Sequence, residues 1–252
     1  MNDVYMVTRT DMESVADSIR EKGGTTEELE FPNGWKAAVE AIPSGGGDDG
    51  TLKGIIERTA TEVTLPSDLT KIGEYAFRGC YELALTSLPS GLTSIGVYAF
   101  YGCNKLALTS LPSGLTSIGG YAFYNCTKLA LTSLPSGLTS IGGYVFQNCY
   151  ELALTSLPSG LTSISSGTFQ NCYKLVLTSL HGGVTSIEGY AFSRCTSLTS
   201  ITFEGKPSSI SSSAFNYCTN LKTINVPWAE GEVANAPWGA TNATINYNYT
   251  GG

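Results

Sequence analysis

The chain of 252 residues carries 14 basic and 21 acidic side chains, and its formal net charge of -7 excludes a nucleic-acid-binding surface dominated by Lys and Arg. A single His excludes metal sites built from several His side chains and leaves at most one His-assisted nucleophile. With 42% hydrophobic residues, the chain has enough apolar side chains to fill one large domain or two small ones.

Residues 1–43 have the pattern of a short helical segment. Thr10 and Glu13 form a capping-box pattern at the start of a first helix, and the apolar residues of the stretch 35–42 lie at the spacing of a second. Two short helices cannot build a stable core by themselves. We therefore predict that this segment docks on a larger assembly or on a second copy of the chain, which would give a homo-oligomer.

Residues 44–50 are rich in Gly and Asp and predict a flexible linker. Asp48 and Asp49 lack the other spaced oxygen ligands of a calcium loop. The sequence contains neither an apolar run long enough to span a bilayer nor the basic-then-apolar order of a secretory signal. We expect no membrane insertion, no signal peptide and a chain that is cytoplasmic at synthesis.

Residues 51–226 are predicted to form one region, within which the sequence repeats with a strict period of 23 residues. The period is set by seven cysteines: Cys80, Cys103, Cys126, Cys149, Cys172, Cys195 and Cys218. Columns of Phe, Ile and Leu keep the same interval, and the stretch ALTSLPSGLTSI recurs verbatim four times from Ala84. Because one coil of this length cannot bury its own apolar residues, each coil must cover its neighbour. We predict a solenoid of short parallel strands and turns, mainly β, with residues 52–58 as its N-terminal cap.

Over residues 63–226 the units carry the pattern IGxxAFxxCxxL, and they resemble the BspA-like subfamily of leucine-rich repeats known from bacterial surface proteins. The resemblance implies a leucine-rich repeat stack. Four inner copies depart from the usual LxxIxLP spacing by having LxLTSLP, whereas Leu198, Ile201 and Phe203 keep it. The strand register is therefore expected to differ between the middle of the stack and its end.

The two ends of the chain carry a second resemblance. The stretches VADSIREKGGTTEELEFPNGWKAAVEAI and VPWAEGEVANAPWGATNATINYNYT are similar to the start and end of prophage-encoded tail-associated proteins of gut Firmicutes. The resemblance implies a phage tail or adhesion assembly and association with a virion. The alternative is a bacterial cell-surface adhesin or host-interaction protein that is exported by an unrecognised route.

Residues 227–252 change in composition and predict a C-terminal aromatic capping segment. Trp228 and Trp238 precede an alternating stretch at 244–249 that is typical of an edge strand. Such a segment would cover the open apolar end of the last coil. The alternative is that its aromatic side chains stack on sugars.

The cysteines lie between the Phe and Leu columns, so we predict a structural ladder of reduced, buried thiols. Disulfides between neighbouring coils and metal binding are the alternatives, but the odd number of cysteines and the linear arrangement disfavour both. His181 replaces a Pro of the other copies, and no nucleophile–base pair accompanies it. We expect no catalytic residues, no cofactor, no metal and no enzymatic activity.

Two columns that flank the cysteine vary between copies, and the fold does not dictate their identity. They are rich in Tyr, Asn and Gln, which suit adaptable recognition. The predicted ligand surface comprises Tyr101, Tyr124, Gln147, Gln170, Tyr81, Asn104, Tyr150 and Tyr173. Its expected partner is a protein or a cell-surface glycan, and the alternative is an ordinary solvent-exposed surface.

Overall fold

The computed structural model describes residues 61, 63, 65 and 67–251. The predicted N-terminal helices, the linker and the N-terminal cap at 52–58 lie outside the described residues. Within the described part the chain winds into a parallel β-solenoid, so the predicted repeat architecture is confirmed. In chain order its strands are β1 (Lys71–Ile72), β2 (Ser94–Ile95), β3 (Ser117–Ile118), β4 (Ser140–Ile141), β5 (Ser163–Ile164), β6 (Ser179–Leu180), β7 (Ser186–Ile187), β8 (Ser200–Phe203), β9 (Ser209–Ile210), β10 (Thr223–Asn225) and β11 (Thr244–Asn246).

One short strand of every coil contributes to a first row of parallel strands. It contains the sheet β1-β2-β3-β4 and the sheet β5-β7-β9. Each strand pairs in register with the equivalent residues one period away, as Ile95 pairs with Ile118 and Ser94 pairs with Ser117. The Ile side chain is buried in each of these strands, whereas the residue before it is partly or fully exposed. The 23-residue period is thus the period of the hydrogen-bonded coils.

The core is a continuous column of apolar side chains along the stack. The Phe rings of successive coils, from Phe77 to Phe215, stack with centroid distances of 5.1–5.8 Å and interplanar angles of 5–14°. Leu83, Leu106 and their equivalents are fully buried beside them. Each Phe ring contacts its own copy in the next coil, so burial is shared between neighbouring coils.

The first row of strands is interrupted between β4 and β5, which do not pair in the described structure. The residue after the strand changes at this break. A Cβ atom on Gly96, Gly119 or Gly142 would overlap the backbone of the preceding coil, whereas the same position in the next coils is Ser165, Glu188 and Ser211. The break therefore lies where coils with Gly at this position meet coils with a side chain there, and the Ser165 hydroxyl donates to the carbonyl oxygen of Ile141 at 3.5 Å.

Substitution of Gly119 by Ala is expected to destabilise the stack by about 1–3 kcal/mol, the usual cost of overpacking. The reason is that a Cβ atom at this position would lie 2.5 Å from the backbone nitrogen of Val97. Urea unfolding of the purified variant measures the loss. Gly137→Ala is the matched control, because a Cβ atom there meets no atom within 4 Å. Equal stability of the two variants would contradict the close approach of the coils.

A second row of strands forms only towards the C-terminal end of the described residues, in the order β11-β10-β8-β6. In β8, buried and half-exposed residues alternate along Ser200–Phe203, as a strand requires. The inner copies lack this alternation, because Leu108 is buried and the two residues after it are exposed. A single backbone hydrogen bond, from Ala107 to Leu85 at 3.2 Å, replaces the ladder there. The predicted difference between the middle and the end of the stack is therefore a loss of strand pairing.

The C-terminal segment covers the last coil. Trp228 and Trp238 are buried and pack edge-on against each other, with ring centroids 6.3 Å apart, and both contact Phe203. Strand β11 continues the second row by pairing in parallel with β10. Because both Trp rings are enclosed by the core, neither can stack on a sugar, whereas sugar stacking on Tyr249, which is exposed, stays a prediction.

Candidate ligand-binding surface

Two rows of side chains, most of them tyrosines, run along the first coils and enclose a shallow groove of about 430 Å³. The first row comes from the residue five positions before each cysteine, and the second from the residue two positions before it. We call this feature the tyrosine groove. It is lined by Arg78, Tyr98, Tyr101, Tyr121, Tyr124, Tyr144 and Gln147.

The first row has an unusual backbone. Its tyrosines adopt the left-handed region, with φ between 56° and 60° at Tyr75, Tyr98, Tyr121, Tyr144 and Tyr190. A bulky residue rarely takes this conformation, which costs about 1–2 kcal/mol in an L-residue other than Gly or Asn. Hydrogen bonds between coils hold it, such as that from the Tyr121 N–H to the Gly143 carbonyl at 3.0 Å.

Each coil contains a second residue in the left-handed region. The residue types found there can be compared with the tyrosines of the first row. Directly before the cysteine, the first five coils have Gly79, Gly102, Asn125, Asn148 and Asn171. Gly and Asn are the residue types that tolerate a positive φ, whereas the last two coils have Arg194 and Tyr217 at this position. Tyr at the other left-handed position is therefore not explained by backbone preference, and its ring must supply the compensating interactions.

The rings stack along each row and meet at an angle between the rows. Within the rows, Tyr98 and Tyr121 lie 4.9 Å apart at 7°, and Tyr101 and Tyr124 lie 4.7 Å apart at 1°. Between the rows, the rings of Tyr121 and Tyr124 are 5.8 Å apart and tilted by 47°. The two faces of each interior ring are consequently covered by the neighbouring rings of the same row. The groove itself is lined by ring edges and phenol groups.

The two ends of the groove differ in charge and shape. At one end the Arg78 guanidinium lies 5.5–5.7 Å from the ring centroids of Tyr75, Tyr98 and Tyr101. At the other end the ring of Tyr144 packs directly on Gly167, where any side chain would overlap it. The continuous ring stack of the first row thus ends at Tyr144, next to the point where the pairing of β4 and β5 is also lost.

Two phenol groups of the groove, those of Tyr121 and Tyr124, have a raised pKa. Burial raises the pKa of Tyr121, and the neighbouring phenols of Tyr98 and Tyr144 raise it further. Burial and the phenols of Tyr101 and Tyr150 raise the pKa of Tyr124. These groups therefore remain hydrogen-bond donors at neutral pH.

The residues predicted from the sequence are only partly brought together. Tyr101, Tyr124 and Gln147 line the groove, whereas Gln170 continues their row beyond it. The groove also contains the first row of tyrosines, which the sequence analysis missed. In the sequence most of these tyrosines are the first residue of the motif YAF, which recurs in several coils. From the sequence alone, a residue shared by most copies is interpreted as part of the structural repeat and not as part of a binding surface.

The other predicted column lies outside the groove. Tyr150 and Tyr173 form a separate exposed stack with centroids 5.0 Å apart, and Tyr81 is half exposed beside Gly102. Asn104 is half-buried, and its amide nitrogen faces the carbonyl oxygens of Gly102 and Asn125. This column therefore contributes a second, smaller aromatic surface.

All seven cysteines are buried, and they form a column along the stack. The thiols of six of them form the same kind of hydrogen bond. From Cys103 to Cys218, each Sγ–H donates to the carbonyl oxygen of the Phe in the preceding coil, at 3.0–3.1 Å. Burial raises the pKa of each of these six thiols. A buried thiol that stays protonated is a poor nucleophile and a poor metal ligand.

Among the described residues, a metal-binding cluster and the single His would be further candidates for a site. Within them, no group of three or more His, Cys, Asp and Glu side chains is placed to hold a metal ion. The Nδ1 atom of His181 accepts a hydrogen bond from the Gly183 N–H at 3.2 Å, which is a local turn contact. In this part of the chain, no helix has the length and apolar character needed to cross a membrane.

Comparison with known proteins identifies the repeats. The BspA type leucine-rich repeat region matches residues 57–176 and 121–233. A leucine-rich repeat protein of T. pallidum is 33% identical over 64% of this chain and 78% of its own, with a TM-score of 0.53. A leucine-rich cell surface protein of Faecalibacterium prausnitzii is 25% identical over 66% of this chain, with a TM-score of 0.50. The match spans 63% of that second protein, which is less than two thirds of its length.

Among curated proteins, none matches this chain. The matched repeats do not extend to the N-terminal residues 1–56 or to the last residues of the chain. The similarity of the two ends to prophage tail-associated proteins therefore stays a prediction.

Proposed function

Because this chain belongs to the BspA-type leucine-rich repeat family, we propose that it is a non-enzymatic binding protein that presents the tyrosine groove to a partner. Repeats of this kind generally mediate protein interactions. The observation that carries the proposal is the row of tyrosines at left-handed backbone positions, which the backbone alone does not favour. Strained residues of this kind cluster at binding and active sites.

The groove suits recognition because its aromatic rings are already ordered. Stacking holds the rings of Tyr98, Tyr121 and Tyr124 in place before any partner arrives. Rigid tyrosines offer contact area at a low cost in conformational entropy. The variable second row, with Arg78, Tyr101, Tyr124 and Gln147, would then set the specificity.

We propose an adhesion assembly as the setting, with residues 1–43 as the attachment segment. The similarity to a cell surface protein of F. prausnitzii supports a bacterial cell-surface adhesin. The alternative setting is a phage tail, which rests on the resemblance of the two ends. Antibody detection on intact source cells and in purified virions distinguishes the two settings.

The double variant Tyr98→Ala/Tyr121→Ala is expected to lower binding to a target surface by more than tenfold, because truncation of two central aromatic contacts costs about 1–2 kcal/mol each. Flow cytometry of the fluorescently labelled full chain on bacterial cells and on cultured epithelial cells measures the binding. The matched control is Tyr150→Ala/Tyr173→Ala, which removes a stacked pair outside the groove.

An equal loss of binding in both double variants would contradict the assignment of the groove. Absence of binding by the unaltered chain to every tested surface would contradict the proposed function itself. A thermal melt of each variant excludes unfolding as the cause of a loss.

A further inference from the structure

We infer that the tyrosine groove binds an extended peptide segment that carries carboxylate side chains. One carboxylate would lie at Arg78, and backbone carbonyl groups of the peptide would accept hydrogen bonds from the tyrosine hydroxyls. This inference deepens the proposed function and rests on it.

The covered ring faces are the first argument. Tyr98 stacks between Tyr75 and Tyr121, and Tyr121 stacks between Tyr98 and Tyr144. Sugar rings pack on aromatic faces, and the stacking within the row occupies those of the interior tyrosines. The edges that remain are the electropositive part of an aromatic ring. They favour carboxylate and carbonyl oxygens, and the interior tyrosines leave no free face on which a sugar ring could pack.

The phenol groups are the second argument. Those of Tyr121 and Tyr124 remain protonated well into the alkaline range, because burial and neighbouring phenols raise their pKa. Tyr98, Tyr101 and Tyr144 add further hydroxyls along the groove. The groove therefore presents several O–H donors, which can donate to the carbonyl oxygens of a peptide backbone.

The charge of Arg78, which pairs with no carboxylate of the described residues, is the third argument. Three tyrosine rings surround its guanidinium at 5.5–5.7 Å. Within the described residues Arg78 has no carboxylate partner at ion-pair distance. It is also the one charged side chain among the residues that line the groove in the described structure. A guanidinium held in this way can bind a carboxylate through two parallel hydrogen bonds.

The length of the groove sets the size of the ligand. From Arg78 to Gln147 it spans three coil intervals, or ~14 Å at the usual strand spacing of ~4.8 Å. An extended peptide rises ~3.3 Å per residue, so about four residues fill the groove. A short acidic peptide is therefore a sufficient probe.

The test uses a fluorescein-labelled, end-blocked hexaglutamate peptide and the full chain, with fluorescence anisotropy as the readout. Hexalysine and a neutral Gly-Ser hexapeptide are the charge controls, and hexagalacturonate is the anionic glycan. We expect hexaglutamate alone to bind, with an affinity that falls as the salt concentration rises.

Two pairs of variants locate the site. Arg78→Gln should weaken hexaglutamate binding about tenfold or more, the value of a charge-assisted hydrogen bond. Its matched control is Arg194→Gln, because Arg194 also lies over a tyrosine ring, that of Tyr217, but outside the groove. Tyr101→Phe/Tyr124→Phe removes two hydroxyls and keeps the stack, and Tyr190→Phe/Tyr217→Phe, at two exposed tyrosines outside the groove, is its control. Only the groove variants should lose affinity, at an unchanged melting temperature.

Three results would overturn the inference. The first is that hexaglutamate binds no more tightly than the Gly-Ser peptide. The second is an equal loss of hexaglutamate affinity in Arg78→Gln and Arg194→Gln. The third is Arg78-dependent binding of hexagalacturonate in place of hexaglutamate. If hexaglutamate fails while binding to cells still depends on Tyr98 and Tyr121, the ligand class is wrong and the proposed function stands. If hexaglutamate does not bind and binding to cells does not depend on Tyr98 and Tyr121, the proposed function is contradicted as well.

Discussion

Raising the pH to about 9.5 is expected to unfold the solenoid, because its buried cysteines must stay protonated in the folded state. Burial holds the pKa of Cys103, Cys126, Cys172 and Cys195 well above the ordinary value, and it raises the pKa of Cys149. Burial also raises the pKa of Cys218 to about 12. In the unfolded chain the same thiols ionise near pH ~8.5.

The direction of the effect follows from proton binding. Below pH ~8.5 both states keep the thiol protons, and the stability is fully present. Above this pH the unfolded state releases protons that the folded state retains, so the free energy of unfolding falls as the pH rises. One pH unit above the unfolded value, the loss is about 1.4 kcal/mol for each thiol. For the six thiols together it is roughly 8 kcal/mol, which is comparable to the whole stability of a typical domain.

Circular dichroism during an alkaline titration, with urea unfolding at fixed pH values, measures this loss. The variant Cys126→Ala/Cys149→Ala/Cys172→Ala has half of these six thiols, so its loss between pH 7.5 and pH 9.5 should be about half as large. Comparing each protein with its own value at pH 7.5 removes the cost of the substitutions themselves. An unfolding free energy that is constant up to pH 10 would show that the thiols are not buried as the structure has them.

Replacement of Phe123 by Ala is expected to lower the free energy of unfolding by about 3–5 kcal/mol. The ring of Phe123 is fully buried and stacks between Phe100 at 5.4 Å and Phe146 at 5.7 Å. Its removal leaves a cavity that both neighbouring coils line. Since stability in a solenoid depends on the interfaces between adjacent repeats, one substitution weakens two of them.

Urea unfolding monitored by circular dichroism measures the effect of Phe123→Ala. Phe123→Leu, which retains most of the apolar volume, should cost about 1–1.5 kcal/mol. Thr132→Ala, on the exposed side of the same coil, should change stability by less than about 0.5 kcal/mol. A loss below about 1 kcal/mol for Phe123→Ala would mean that the coils relax into the cavity and that the Phe column does not hold the stack together.

The sequence by itself determined the coil and its core. In a solenoid each side chain packs against its own copy one period away, so columns such as Phe77 to Phe215 can be aligned directly on the sequence. The same alignment placed the cysteines inside, because they lie between two apolar columns. It also indicated that Leu198, Ile201 and Phe203 differ from the inner copies, and the structure has strand pairing at that end.

Only the tertiary structure shows which columns of side chains contact each other. Tyr98 and Tyr101 are three residues apart in the sequence, but their rings form one groove only because the backbone at Tyr98 turns through a left-handed conformation. Sequence periodicity defines distances along the stack and carries no information about the angle between two columns across it. The break beside Ser165 and the burial of Trp228 and Trp238 depend likewise on how closely neighbouring backbones approach. Those distances are set by packing in three dimensions, and a one-dimensional repeat cannot encode them by its spacing.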